Sequence, residues 1–156
     1  MVAGTLTMNS DYVAVRSLEP WLVLLLDQLD PAEAAWLQPR LLLAAHEVCV
    51  NIVDHAYRGA HGDIWVDGWV REDHVQLRIR DRGRPFDGVA ARARRADTAG
   101  EARCHGYGLT IVERLVDELR YERAGDRSTW WLRIGRSPDG RTPAVGFTGQ
   151  PARPMT

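Results

Sequence analysis

The chain contains no lysine; all 20 of its basic residues are arginine. That excludes a phosphate loop of the G-x-x-x-x-G-K-[ST] kind, which needs a lysine ammonium on the phosphates. GC-rich coding explains the bias more simply than selection for guanidinium chemistry. Cysteine is nearly absent too, with only Cys49 and Cys104. Neither has a partner at metal-ligand spacing, so both read as core or incidental positions compatible with a reducing cytosol. No apolar run reaches membrane-spanning length, and the N-terminus MVAGTLTMNSDY lacks the charged and apolar regions of a signal peptide. A cytoplasmic protein with no membrane partner is expected. With 20 basic and 21 acidic residues and a net charge of -1, no bulk field draws the chain to nucleic acid, and no direct nucleic-acid partner is expected.

What is present fits one domain and one site: 156 residues, 45% hydrophobic and 26% charged. Residues 2–8 alternate weakly and read as an edge strand. Glu19 to Leu29 has the apolar face of a helix, and the break at Asp30-Pro31 opens a helical region in which Pro39 separates a short piece from a long helix running to Tyr57, with Gly59 as its stop signal. Asp63–Val70 and His74–Arg80 alternate around a polar REDH joint, as a hairpin does. An Ala/Arg-rich stretch from Gly88 to Arg103 reads as a mobile loop. HGYG then opens LTIVERLVDEL, helical by the spacing of Leu109, Val112, Leu115, Val116 and Leu119. Two strands around a Gly125-Asp126 turn follow, before a Pro-, Gly- and Arg-rich tail over 136–156. The order predicts an α+β fold, a two-layer α/β sandwich whose mixed, mostly antiparallel sheet is covered on one face by helices.

The long helix carries a polar stripe. At its angular step, Glu47, Asn51, Asp54 and His55 fall within roughly 100° of arc, among Leu, Ala, Val and Ile. Taken alone, the stripe is a solvated face. His46-Glu47 begins an H-E-x-x-H metalloprotease pattern, but Val50 stands where its second ligand belongs. RDRGRPFD, Arg80 to Asp87, sets Asp81 just after a strand with Gly83 two residues on; a bare D-x-G is usually a turn. Gly106, Tyr107 and Gly108 precede a helix, where free N–H groups and the helix dipole favour an anion, again a weak signal alone.

Order and spacing give these pieces their force: E-x3-N-x3-H on a helix, D-x-G-x-P-F after a hairpin, an arginine-rich loop, G-x-G-L opening a helix, and a strand with Ser128-Thr129. Together they resemble the GHKL, or Bergerat-fold, ATP-binding domain over about residues 10 to 135. More narrowly, the short length and the D-x-G-x-P-F form resemble the bacterial anti-sigma-factor serine/threonine protein kinases.

The resemblance implies an ATP-binding kinase domain over 1–135 with a lid at about 87–105, and a flexible tail over 136–156. It implies Mg²⁺ on Asn51, whose amide oxygen is a suitable hard ligand, and Glu47 as the catalytic carboxylate that deprotonates the attacking hydroxyl. Asp81 would accept from the adenine amino group, and Gly83 would leave room for the base. Phe86 belongs to the same motif, and Asp54 and His55 to the helix motif. Gly106, Tyr107 and Gly108 would approach the phosphates with Leu109 packed beneath, Arg103 would be the lid arginine on a phosphate, and Thr129 would stand near the adenine. The implied function is anti-sigma regulation: binding of a sigma factor and phosphorylation of a serine on an anti-sigma-factor antagonist, in a homodimer whose contacts include Trp65 and Trp69 if these are not core. The alternative is an ATP-binding regulatory module with another partner and little or no kinase activity.

Overall fold

The structure is a computed structural model that describes residues 4–88, 108–136 and 148–149. Strand β1 (Gly4–Asn9) leads into helices α1 (Tyr12–Val15), α2 (Leu18–Leu26) and α3 (Pro31–Asn51), then the hairpin β2 (Asp63–Val70) and β3 (His74–Asp81). After α4 (Gly108–Leu115) come β4 (Glu118–Ala124), β5 (Arg127–Gly135) and the two-residue β6 (Thr148–Gly149). The sheet order is β1-β2-β3-β5-β4-β6, antiparallel except for the parallel β4–β6 pair. The mixed, mostly antiparallel sheet and the edge position of the first strand are as the patterning predicts. Within the tail, Thr148 and Gly149 pair with Arg120 and Tyr121.

Alternation on each strand makes the two layers. Val75, Leu77, Ile79 and Asp81 of β3 point to one face with Ser128, Trp130, Leu132 and Ile134 of β5, and all eight are buried. Against that face lie Leu22 and Leu26 of α2 and Leu37, Leu41, Ala44, Ala45 and Val48 of α3. Each fully buried large aliphatic side chain there contributes about 1.5–3 kcal/mol from its removal from water. The other face carries polar and aromatic residues. Its Trp69 stacks on Trp131, and Asp67, 4% exposed, accepts from Arg78, Arg80 and Thr5. Trp65 and Trp69 therefore lie outside the helix-covered core, although Trp69 is covered by its own neighbours.

The helices depart from the sequence reading in three places. Pro39 does not divide α3, which runs unbroken from Pro31 to Asn51. A proline removes one N–H and crowds the carbonyl four residues back, here that of Ala35; both residues are exposed, so that carbonyl faces water. The Arg40 guanidinium donates to the Trp36 carbonyl at 2.6 Å in the same turn. Second, the α-helix ends at Asn51, and Ile52–Tyr57 continues as a π-helix closed by Arg58 and Gly59 at positive φ. Third, α4 stops at Leu115 and Leu119 is already in β4. Asp117 ends the helix by pairing with β5: its N–H donates to the Arg133 carbonyl at 2.9 Å and its carboxylate accepts from the Gly135 N–H at 2.6 Å.

Candidate active site

Two helices meet at the first half of the site. Glu47 stands on α3 with its side chain 26% exposed, against the first residue of α4. A Cβ on Gly108 would lie 2.6 Å from Glu47 Oε2, so the bare glycine lets the carboxylate reach the helix end. A helix N-terminus presents unpaired N–H groups and a positive dipole end, favourable for a carboxylate or a phosphate. Leu109, the next residue, is buried in the core beneath. Asn51, half-buried, follows one turn after Glu47.

The π-helical turn changes the rest of the stripe. With i→i+5 bonding the angular step of an α-helix no longer applies beyond Asn51. Asp54 accepts a short hydrogen bond from the Tyr12 hydroxyl of α1, and His55 is exposed. The four polar residues are thus two functional candidates, Glu47 and Asn51, and a pair on a differently wound segment. Among the described residues no group of three or more His, Cys, Asp and Glu side chains is placed to hold a metal ion. A Mg²⁺ ion typically takes one or two protein oxygens and draws its remaining ligands from phosphates and water. The single amide oxygen of Asn51 fits that requirement.

The second half lies at the end of the sheet. Asp81, the last residue of β3, is 1% exposed and accepts from the Gly83 N–H at 2.8 Å. Burial pushes its carboxyl up to about 6, against the opposing pull of the Gly83 N–H and the Arg123 charge. From α3 the buried Cys49 faces it, and its thiol is raised by burial and by the Asp81 charge. Directly across the sheet stand Ser128 on β5 and Arg123 on β4. Ser128 accepts from Arg123 Nη1 at 2.8 Å and shares a hydrogen bond with the Tyr121 hydroxyl at 3.0 Å. The Tyr121 oxygen in turn accepts from the Phe86 N–H at 2.8 Å, and the Phe86 ring packs on Tyr121 and Trp130.

Gly83 has a reason of its own in this geometry. A Cβ there would lie 2.6 Å from the carbonyl carbon of Ala56, and the neighbouring Arg84 N–H donates to the Ala56 carbonyl at 2.8 Å. The D-x-G turn is therefore seated on the backbone of the π-helical turn, and the room that the missing side chain leaves is taken up by Ala56.

One residue expected near Asp81 is on the wrong face. Thr129 pairs with Arg80 and points to the open side of the sheet, while Ser128 shares the Asp81 face. The sequence STWWL gives no alternation to decide between the two hydroxyls, because Trp130 and Trp131 are both large and apolar. Tyr121 and Arg123 are the polar residues of this end that sequence reasoning missed, and Ser128 was named there only beside Thr129 as part of the strand motif. Only the strand register finds them. Arg103, Gly106 and Tyr107, and most of the expected lid and tail, lie outside the described residues.

An open sheet covered on one face by helices, with an acidic residue ending a central strand and a carboxylate and amide on the long helix, defines a class. Residues 11–134 match the histidine kinase-like ATPase domain, and the chain belongs to that family. Its curated relatives include the serine-protein kinase RsbW of Oceanobacillus iheyensis, 30% identical over 86 residues, covering 51% of this chain and 54% of the relative. The RsbW proteins of Bacillus pumilus and Listeria monocytogenes are each 31% identical, over 93 and 87 residues, covering 53% and 51% of this chain and 56% and 55% of theirs. The chain spans about half the length of the curated relatives it matches. Among the described residues, no helix is long and apolar enough to cross a membrane.

Proposed function

We propose that the chain is an ATP-binding anti-sigma regulatory factor with serine protein kinase activity, which binds a sigma factor and phosphorylates a serine of an anti-sigma-factor antagonist. The observation that carries the reading is the Glu47 carboxylate set against the glycine that opens α4. A base and a phosphate-binding helix end then share one place, as in-line transfer to a hydroxyl requires. The serine-protein kinase names of the relatives support the same reaction class.

In this reading Asp81 accepts from the adenine amino group, which selects adenine over guanine because guanine presents a carbonyl there. Gly108 lets backbone N–H groups approach the phosphates. Glu47 takes the proton of the serine hydroxyl as its oxygen bonds to the γ-phosphorus and the bond to the ADP oxygen breaks. Asn51 would hold Mg²⁺, which would supply charge neutralisation on the phosphates when bound. The working unit is a homodimer in the cytoplasm. The alternative is an ATP-binding regulatory module without transfer.

The test is transfer of label from γ-labelled ATP to a serine of an antagonist protein. Wild type should transfer, while Glu47→Gln should bind ATP unchanged and transfer at least about a hundredfold more slowly, the usual contribution of a general base. Equal transfer by the variant removes Glu47 from the mechanism. ATP binding without transfer by the wild type selects the regulatory module.

A further inference from the structure

The end of the sheet below Asp81 is built as a row of three side chains on three adjacent strands: Asp81 on β3, Ser128 on β5 and Arg123 on β4. Arg123 is the most connected of them. Its Nη1 donates to the Gly83 carbonyl and to Ser128 Oγ, each at 2.8 Å, and its Nε donates to the Gly125 carbonyl at 2.9 Å. One planar guanidinium therefore ties the D-x-G turn, the β5 hydroxyl and the β4–β5 turn into one frame. The rigid fork geometry of arginine suits that task and a lysine ammonium suits it less well.

The charge of that group also faces a buried carboxylate. Of the other titratable groups around Asp81, the Cys49 thiol of α3 is raised by burial. The Tyr57 phenol of the π-helical turn is raised by burial as well, and its oxygen already donates to the Asp63 carbonyl and accepts from the Arg82 N–H. Arg82 itself points outward over Trp65, half-exposed. Among the described residues, Arg123 is the cation whose charge favours the ionised form of Asp81.

We infer that Arg123 is a positioning residue of the purine pocket, holding the Asp81–Gly83 turn in its binding geometry and keeping Asp81 ionised as a hydrogen-bond acceptor at neutral pH. The inference rests on the reading of Asp81 as the adenine acceptor. A protonated Asp81 would offer the adenine amino group a donor in place of one of its acceptors, so adenine binding should weaken where the carboxyl takes up a proton. Loss of the guanidinium removes a positive charge that opposes the effect of burial and moves that point towards neutrality.

The experiment compares wild type, Arg123→Met and Arg123→Lys. The Asp81 carboxyl is titrated by ¹³C NMR in nucleotide-free protein, and ATP affinity is measured across the same pH range. Arg123→Met should raise the midpoint of the carboxyl titration and weaken ATP binding at neutral pH several-fold, more than the added protonation alone accounts for. Arg123→Lys should restore most of the carboxyl midpoint, because the charge remains, and less of the affinity, because the fork is lost. A purely structural role would lower thermal stability without moving the carboxyl titration. If Arg123→Met titrates and binds ATP as the wild type does, the inference is overturned. If the wild type binds no adenine nucleotide, the pocket reading falls first and takes the inference with it.

Discussion

Asp81 is the residue at which stability and function pull apart. Its carboxyl is 1% exposed and its folded-state value of about 6 lies above the ordinary 3.8. Between about pH 4 and pH 6 the folded chain therefore holds a proton that the unfolded chain has released, and stability from this group is full below that window and lost as pH rises through it. Asp81→Asn, which cannot ionise, should match the wild type near pH 4 and exceed it above about pH 7 by up to about 3 kcal/mol. Urea midpoints of both proteins at the two pH values check this; a difference between variant and wild type that is the same at both would show that the carboxylate is not strained. Such strain has a use only if a donor arrives to meet the charge, which is the role an adenine amino group would take. At this scale much was legible. Glu47, Asn51, Asp81 and Gly108 are set in the sequence by residue type and spacing, because each is tied to a local motif. Arg123, and the choice of Ser128 over Thr129, were not, because they are set only by the register of three strands.

Among the elements, α3 carries most of the site and most of the departures. The α-helical spacing up to Asn51 keeps Glu47 and Asn51 one turn apart on one side, and the π-wound segment that follows has Asp54 hydrogen-bonded to Tyr12. It also places the Ala56 carbonyl to receive the turn after β3. No sequence period announces a six-residue π segment, since its bonding is decided by what docks on it. Pro39 is the converse case, a strong local signal that tertiary packing overrides. Leu37 and Leu41 on either side of it are fully buried, and their burial offsets the lost hydrogen bond. Because Pro39 is exposed and in the helix interior, Pro39→Ala should stabilise the protein by about 1–3 kcal/mol, visible as a higher denaturant midpoint with an unchanged slope. A lower midpoint would mean that α3 depends on the proline for its shape. The hairpins were legible because period-2 alternation and the Gly125-Asp126 turn are local signals, whereas the end of α4 was not, because Asp117 is satisfied only by β5.

Over the described residues the molecule is a sheet with one face committed to packing on helices and the other carrying polar and aromatic side chains that are mostly in reach of solvent. On the open side, two arginines and a threonine converge on Asp67 and two tryptophans stack. The site sits at one end of this sandwich, where α3, α4 and the ends of β3, β4 and β5 come together. Its two halves come from different physics: a helix N-terminus suited to anions and a buried acceptor suited to a purine donor. A nucleotide is the ligand that presents both groups on one molecule. Calorimetry of ATP against GTP, with and without Mg²⁺, on the wild type and Asp81→Asn tests whether one nucleotide meets both halves. Binding should depend on Mg²⁺ and prefer ATP, with the preference lost in the variant. Equal affinity for ATP and GTP in the wild type, or undiminished ATP binding by Asp81→Asn, would contradict it.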